Sequence, residues 1–226
     1  MTVQRTSAVT SIVEALKHEI TRSHQPGDLL PTERLLAERF DVGRNTIREA
    51  IIILETYGFI KKTQRGPRVA EPGFEPLFQN MEHFLDRSAE TYRDLLEFRR
   101  YIEIGVLPAV VERIDDDQLE ALERALVAMD RALTASEAAE ADYAFHYAIV
   151  SASGNAVVTK MYKVMSRTLV YYMEIGKADP AIGQDTTQYH RDMVTAFRER
   201  SLEKALAAVN AHFAYSEFVL NKETAN

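Results

Sequence analysis

Residues 30–66 read LPTERLLAERFDVGRNTIREAIIILETYGFIKKTQRG, which predicts two short helices followed by a β-hairpin. Thr32 is a suitable N-cap for a helix over 33–40, because its hydroxyl can accept a hydrogen bond from a free backbone N–H of the first turn. After a turn at 41–43, four apolar residues recur at the spacing i, i+3, i+4 and i+7: Ile47, Ala50, Ile51 and Leu54. That spacing is typical of the buried face of a second helix, so the opposite face is exposed.

The exposed face of this second helix carries Arg44, Asn45 and Arg48 near its N-terminus. A recognition helix that enters the major groove of DNA presents its N-terminal residues to base edges and phosphates. Arginine can bind guanine through two hydrogen bonds, and asparagine can bind adenine in the same way. We therefore predict that these three side chains contact DNA.

The residues after the second helix predict a basic wing. Residues 58–62 and 67–70 favour two short strands around Thr63-Gln64-Arg65-Gly66, where glycine permits a turn with positive φ. A wing of this kind reaches the minor groove, whose narrow A·T stretches attract arginine. Arg65 is the side chain that we expect to be inserted there.

Composition separates the chain into a basic part and an acidic part. Residues 1–70 hold 11 Lys and Arg against 8 Asp and Glu, a net charge of +3, whereas the whole chain of 226 residues carries −7. Only the first part therefore suits a polyanion such as DNA. The absence of cysteine excludes disulfides, thiolate zinc sites and cysteine nucleophiles. With no signal-peptide pattern and no apolar run of membrane-spanning length, we expect a cytoplasmic protein.

A domain boundary is predicted at residues 71–76, where two prolines and a glycine oppose regular structure. Domain 1–70 is predicted to be a winged helix-turn-helix of three helices and a short hairpin. Domain 77–226 is predicted to be a bundle of six or seven helices, because apolar residues recur with helical periodicity in seven segments: 77–88, 91–114, 116–134, 136–152, 156–175, 183–199 and 201–222. The expected fold class is mainly α.

The N-terminal motifs resemble the winged helix of GntR-family regulators over about residues 8–70. The resemblance lies in three segments: Leu30 to Phe40, Arg44 to Ala50, and Leu54 to Gly66. It implies DNA contacts by five residues: Arg34, Arg44, Thr46, Arg48 and Gly66. The chain departs from the family where Gly43 replaces a capping serine and where Leu35 replaces the acid of a capping box.

Four residues of the second domain have the spacing of a metal site. Asp142 and His146 are four apart and share one helix face. His190 and His212 lie symmetrically about Ser201, where we expect two antiparallel helices to join, so each histidine is roughly 16 Å along its helix from the turn. Three imidazoles and one carboxylate suit zinc first, with nickel, manganese, iron and cobalt as alternatives. Histidines in helices can also be ordinary surface or core residues.

The second domain resembles the FCD effector domain of the FadR-like branch of the GntR family, over about residues 90–220. The resemblance lies in Glu97 to Glu103, Asp142 to His146, Ser153-Gly154-Asn155 and the histidine pair. It implies that Asp142 and the three histidines hold a divalent metal inside a cavity for small carboxylates. It also implies that Arg99 binds the effector carboxylate through a bidentate pair. The alternative for Arg99 is a surface ion pair with Glu97 or Glu103. The chain departs from the family at Pro108, where the family usually has alanine, and this proline is expected to kink its helix.

Together these patterns predict a transcriptional regulator rather than an enzyme. We expect a homodimer that binds double-stranded operator DNA and whose affinity is controlled by a small organic acid. Two alternatives remain open at this point: a metal-dependent enzyme that uses the Asp/His site, and a regulator whose metal is purely structural.

Overall fold

The computed structural model describes residues 8–71, 88–177 and 180–224. The chain divides into two compact units, residues 1–83 and 84–226. The linker predicted at 71–76 and the helix predicted at 77–88 lie outside the described residues, apart from Glu71 and Ser88. The domain boundaries, 1–70 and 77–226, therefore stay predictions.

The first unit has the three helices and the hairpin that the sequence predicts. Its elements are α1 (Ala8–Ser23), α2 (Glu33–Phe40), α3 (Arg44–Thr56), β1 (Ile60–Thr63) and β2 (Gly66–Val69). The two strands are antiparallel, with Ile60 opposite Val69 and Thr63 opposite Gly66. Gly66 has a φ of 121°, so the turn uses the positive φ that was expected of this glycine.

The core of the first unit is formed mainly by α1 and α3, with contributions from α2 and both strands. The four residues predicted to form the buried face of α3 have relative exposures of 0–1%, so that prediction is confirmed: Ile47, Ala50, Ile51 and Leu54. Thr32 caps α2, because its side chain accepts a hydrogen bond from the Leu35 N–H over 3.4 Å. Gly43 precedes α3 without a side-chain cap, as its lack of a side chain requires. Burial of one face of α3 leaves the other face in solvent.

The second unit contains seven helices among the described residues. They are α4 (Ala89–Arg113), α5 (Asp116–Arg131), α6 (Ala135–Ala152), α7 (Ala156–Val164), α8 (Ser166–Gly176), α9 (Pro180–Arg198) and α10 (Leu202–Thr224). Capping boxes at Asp115 and Thr134 begin α5 and α6. The apolar core is formed mainly by α4, α5, α6, α9 and α10, with fully buried residues such as Leu107, Phe145 and Phe197. Within the described ranges, no helix is both long enough and apolar enough to cross a membrane.

One predicted helix is divided in the structure. The sequence predicts a single helix over 156–175, whereas α7 ends at Val164 and α8 begins at Ser166. The Met165 N–H bonds the Tyr162 carbonyl, three residues back, over 3.2 Å, and this tighter turn separates the two helices. Apolar periodicity continues across the break, so the pattern of side chains gives no sign of it. The helix α4 runs through Pro108 to Arg113.

Candidate functional site

The turn between α9 and α10 places two histidines side by side. The predicted junction at Ser201 is confirmed, since α9 ends at Arg198 and α10 begins at Leu202. Arg200 adopts a φ of 51°, the left-handed conformation that reverses the chain. The rings of His190 and His212 consequently lie with their centroids 4.7 Å apart.

The helix α6 contributes the other two predicted ligands, and three donor atoms form a nearly equilateral triangle. Nε2 of His146 lies 3.2 Å from Nε2 of His190. Oδ1 of Asp142 lies 3.5 Å from the first nitrogen and 3.2 Å from the second. The third histidine, His212, offers a nitrogen within 4.8 Å of those of the other two. The structure thus brings the three predicted histidines together and places the fourth predicted ligand, Asp142, against two of them.

These separations fit a metal ion. Nitrogen and oxygen donors about 2.0–2.1 Å from a tetrahedral ion are roughly 3.3 Å from one another, which is the spacing of the triangle. All four side chains are buried. Among the described residues, Nδ1 of His190 and both ring nitrogens of His212 have no hydrogen-bond partner. Unpaired buried polar atoms are costly, and coordination of an ion would satisfy a nitrogen of His212.

The protonation states of three of these residues, Asp142, His190 and His212, also favour a cation. Burial lowers the pKa of His190 and His212 well below the usual value, so both imidazoles are neutral and can donate a lone pair. Burial opposes ionisation of Asp142, but Lys177 and the neighbouring histidines outweigh it and hold the pKa of this carboxyl well below its usual range. Neutral imidazole and ionised carboxylate are the forms that bind metal ions.

Glu103 is a site residue that the sequence did not identify as one. Its Oε2 accepts a hydrogen bond from Nδ1 of His146 over 2.6 Å, and its Oε1 accepts bonds from Arg99 and from the Tyr162 hydroxyl. Burial disfavours its charge, but His146 and Arg99 together lower the pKa of Glu103 to about 2. A carboxylate on Nδ1 leaves Nε2 of His146 free to bind an ion. The only sequence signal for Glu103 is its helical spacing from Leu96 and Leu107, which places this acid on the buried face of α4. No sequence signal pointed to Tyr162.

A small cleft with polar and apolar walls opens beside Asp142 and His212. Its lining includes Tyr92, Arg99, Lys177 and Ser216. Arg99 is only 6% exposed, and its Nη2 has no hydrogen-bond partner in the described part of the chain. Arg99 does form an ion pair with Glu103, because its Nε lies 3.3 Å from Oε1 of that residue. The pair is buried, however, so the alternative of a surface ion pair is wrong about its location.

The residues predicted to contact DNA lie on the surface of the first unit. Arg44, Asn45 and Arg48 are exposed along α3, and Thr46 is half-buried. Two arginines have acidic partners: Arg48 lies 3.2 Å from Glu33, and Arg34 lies 2.6 Å from Glu38. Arg65 is exposed in the turn between the strands, next to Gly66. These partners hold two cationic side chains at the surface without burying them.

Comparisons with known protein families agree with the division of the chain. Residues 8–69 match the family described as bacterial regulatory proteins, gntR family, and residues 94–215 match the FCD domain. The second match covers more than half of the chain. Both families consist of regulators, not enzymes.

Individual relatives match this chain over most of its length. The HTH-type transcriptional regulator LutR of Bacillus subtilis is 29% identical over 87% of this chain and 93% of its own length. The HTH-type transcriptional repressor NanR of Cronobacter sakazakii is 24% identical over 84% of this chain and 76% of its own length. Among solved structures, a GntR protein of Streptococcus agalactiae has a TM-score of 0.70 at 27% identity, over 92% of this chain and 97% of that one.

Proposed function

Since this chain belongs to the GntR family of DNA-binding transcriptional regulators and carries an FCD domain, we propose that it senses a small organic acid beside a divalent metal ion. One observation carries the proposal. Four buried donors, from Asp142, His146, His190 and His212, converge next to a cleft that contains Arg99.

The ion would be held by these four side chains, which supply nitrogen and carboxylate donors without thiolate. Such a set suits zinc, and also nickel, manganese, iron or cobalt. A bound ion supplies an electropositive centre that an effector oxygen can approach. Glu103 orients His146 for this role, and Asp142 contributes the negative charge.

Arg99 is proposed as the residue that binds the effector carboxylate. Its Nε is occupied by Glu103, which fixes the guanidinium, while Nη2 has no hydrogen-bond partner among the described residues and the side chain lines the cleft. A fixed, always charged guanidinium with a free N–H is well suited to a carboxylate oxygen.

DNA recognition is proposed to follow the geometry of other winged helices. Within a homodimer in the cytoplasm, two copies of α3 would enter successive major grooves of a near-palindromic operator. Arg44, Asn45 and Arg48 would contact base edges, with Arg34, Thr46 and Gly66 as further contacts and Arg65 in the minor groove. The effector would act by binding two dimer arrangements with different affinity.

The test begins with the metal content of the purified protein and its melting temperature before and after chelator treatment. We expect chelation to lower Tm, because an ion present at 100 times its Kd stabilises the folded state by about 2.7 kcal/mol. His190→Ala should abolish this dependence, whereas His18→Ala, on the exposed surface of α1, should preserve it. Equal melting of metal-loaded and metal-free wild type would contradict the metal site.

The effector is tested by adding organic acids to the metal-loaded protein and measuring both Tm and the affinity for operator DNA. We expect at least one acid to raise Tm and change operator affinity, and Arg99→Lys to weaken that response. If the metal raises Tm while no acid changes either quantity, the ion is purely structural and the sensing proposal fails.

A further inference from the structure

Lys177 lies beside the proposed ligands although no sequence motif pointed to it. It follows the last residue of α8 as its C-cap, and its side chain is only 12% exposed. Its ammonium lies 3.5 Å from Oδ2 of Asp142. Lys177 also lines the same cleft as Arg99, so two cationic side chains of the second unit face one small cavity.

The two oxygens of Asp142 face different partners. Oδ1 lies 3.2 Å from Nε2 of His190, on the side of the histidines, whereas Oδ2 lies on the side of Lys177. An ion among the histidines would draw the carboxylate charge towards Oδ1. The attraction between Oδ2 and the ammonium then weakens, and Lys177 becomes available to an anion in the cleft.

The charges of the buried cluster indicate how many negative charges a ligand should bring. Asp142 and Glu103 are ionised and carry two negative charges, and these balance the positive charges of Arg99 and Lys177. The three imidazoles are neutral when they coordinate an ion. A divalent ion therefore leaves a buried cluster with two uncompensated positive charges. Buried charge is costly unless it is paired, so the loaded cluster favours a ligand that carries two negative charges.

We propose that Lys177 is a second anion-binding residue of the cleft and that the metal-loaded protein selects acids with two anionic groups over monoacids. One anionic group engages Arg99 and the other engages Lys177. This inference rests on the proposed function, since it names the class of acid that the same cleft accepts.

The first test compares acids of equal chain length and different charge. The probes are malonate against propionate and succinate against butyrate, titrated calorimetrically into the zinc-loaded full chain at constant ionic strength. We expect at least one diacid to bind on the order of tenfold or more tightly than its matched monoacid, because one further charge-assisted contact is made. If neither diacid binds more tightly than its monoacid, the proposal is overturned.

The second test removes the ammonium. Lys177→Met keeps a long, unbranched side chain and should abolish the preference for the diacid, measured as the ratio of the monoacid Kd to the diacid Kd. Lys163→Met, on the exposed surface of α7, is the matched control and should leave the preference intact. Zinc affinity of Lys177→Met should equal or exceed that of wild type, because a cation next to Asp142 is removed.

The outcomes separate this inference from the function on which it rests. If monoacids and diacids bind equally well to wild type and to Lys177→Met, the cleft is an effector site and only the role of Lys177 is refuted. If no acid binds at all, both proposals fail. A loss of zinc from Lys177→Met would show that the lysine only supports Asp142, and would also overturn its role as an anion-binding residue.

Discussion

Nδ1 of His146 and Oε2 of Glu103 lie 2.6 Å apart, and both side chains are completely buried. The ionised carboxylate must accept this hydrogen bond, so Nδ1 carries a proton and Nε2 is the nitrogen left to bind the proposed ion. Glu103 also accepts a hydrogen bond from Arg99, which lines the cleft. One carboxylate thus connects the residue proposed to bind the effector with a residue proposed to bind the metal.

We expect Glu103→Gln to lower metal affinity roughly 10- to 100-fold, the range found when residues that orient metal-bound histidines are replaced. Glutamine keeps the shape but not the charge that holds His146 in one tautomer. Competition with a chromophoric chelator measures the affinity, and circular dichroism checks the fold.

The matched control for Glu103 is Glu112→Gln, an exposed position of the same helix, which should bind metal as wild type does. Identical metal affinities for Glu103→Gln and wild type would mean that His146 needs no orienting carboxylate.

Arg48→Ala should reduce operator affinity on the order of tenfold or more, since a bidentate contact to guanine contributes about 1–3 kcal/mol of discrimination. Stability should change little, because the pair with Glu33 is exposed, and exposed ion pairs contribute about 0–1 kcal/mol. Gel-shift titration against operator and scrambled duplexes checks both affinity and discrimination. Arg131→Ala, in the second unit, is the control and should leave operator affinity unchanged. If Arg48→Ala also leaves operator affinity unchanged, Arg48 has no part in base recognition.

Gly176→Ala should impair acid binding without loss of metal. A Cβ at this position would lie 2.6 Å from the Tyr92 hydroxyl, so the tyrosine, which lines the cleft, must move. Calorimetric titration of the diacids and chelator competition measure the two effects separately.

The control for Gly176 is Gly105→Ala, within α4, where an added Cβ meets nothing within 4 Å. It should leave acid binding intact and stabilise the helix by up to about 1 kcal/mol. Equal acid affinity in Gly176→Ala and wild type would show that the position of Tyr92 has no influence on the cleft.

Arg200 should stabilise the second unit through its side chain. Its guanidinium donates hydrogen bonds to the carbonyls of Val111, Glu112 and Ile114, at the C-terminal end of α4. Arg200→Ala should lower the free energy of unfolding by about 1–2 kcal/mol, as expected for partly exposed hydrogen bonds. Chemical denaturation measures the change.

Two further variants examine this turn. Arg200→Gly should be less destabilised than Arg200→Ala, because glycine adopts the φ of 51° without strain. Arg198→Ala, which loses an exposed ion pair with Glu123, should change stability by only about 0–1 kcal/mol. If the alanine variants at 198 and 200 are equally stable, the carbonyl contacts of Arg200 contribute nothing.

Local patterns in the sequence were sufficient for most secondary structure and for the proposed ligands. The spacing of Ile47 to Leu54 predicted the buried face of α3, and the symmetry of His190 and His212 about Ser201 predicted their contact. Both are regular features of one helix or of one helical hairpin. The break at Met165 was not predictable in this way, because it depends on one backbone hydrogen bond and leaves the periodicity of the side chains unchanged.

The sequence by itself determined the order of the helices, the exposed cations of α3 and the four donors of the candidate metal site, since each follows from the spacing of residues along one or two helices. Only the tertiary structure decided that Glu103 lies against His146, 43 residues away, and against Tyr162, 59 residues away, and that Lys177 lies against Asp142. Such contacts depend on how separate helices pack around a buried charge, and helix periodicity carries no information about which polar side chains will meet there.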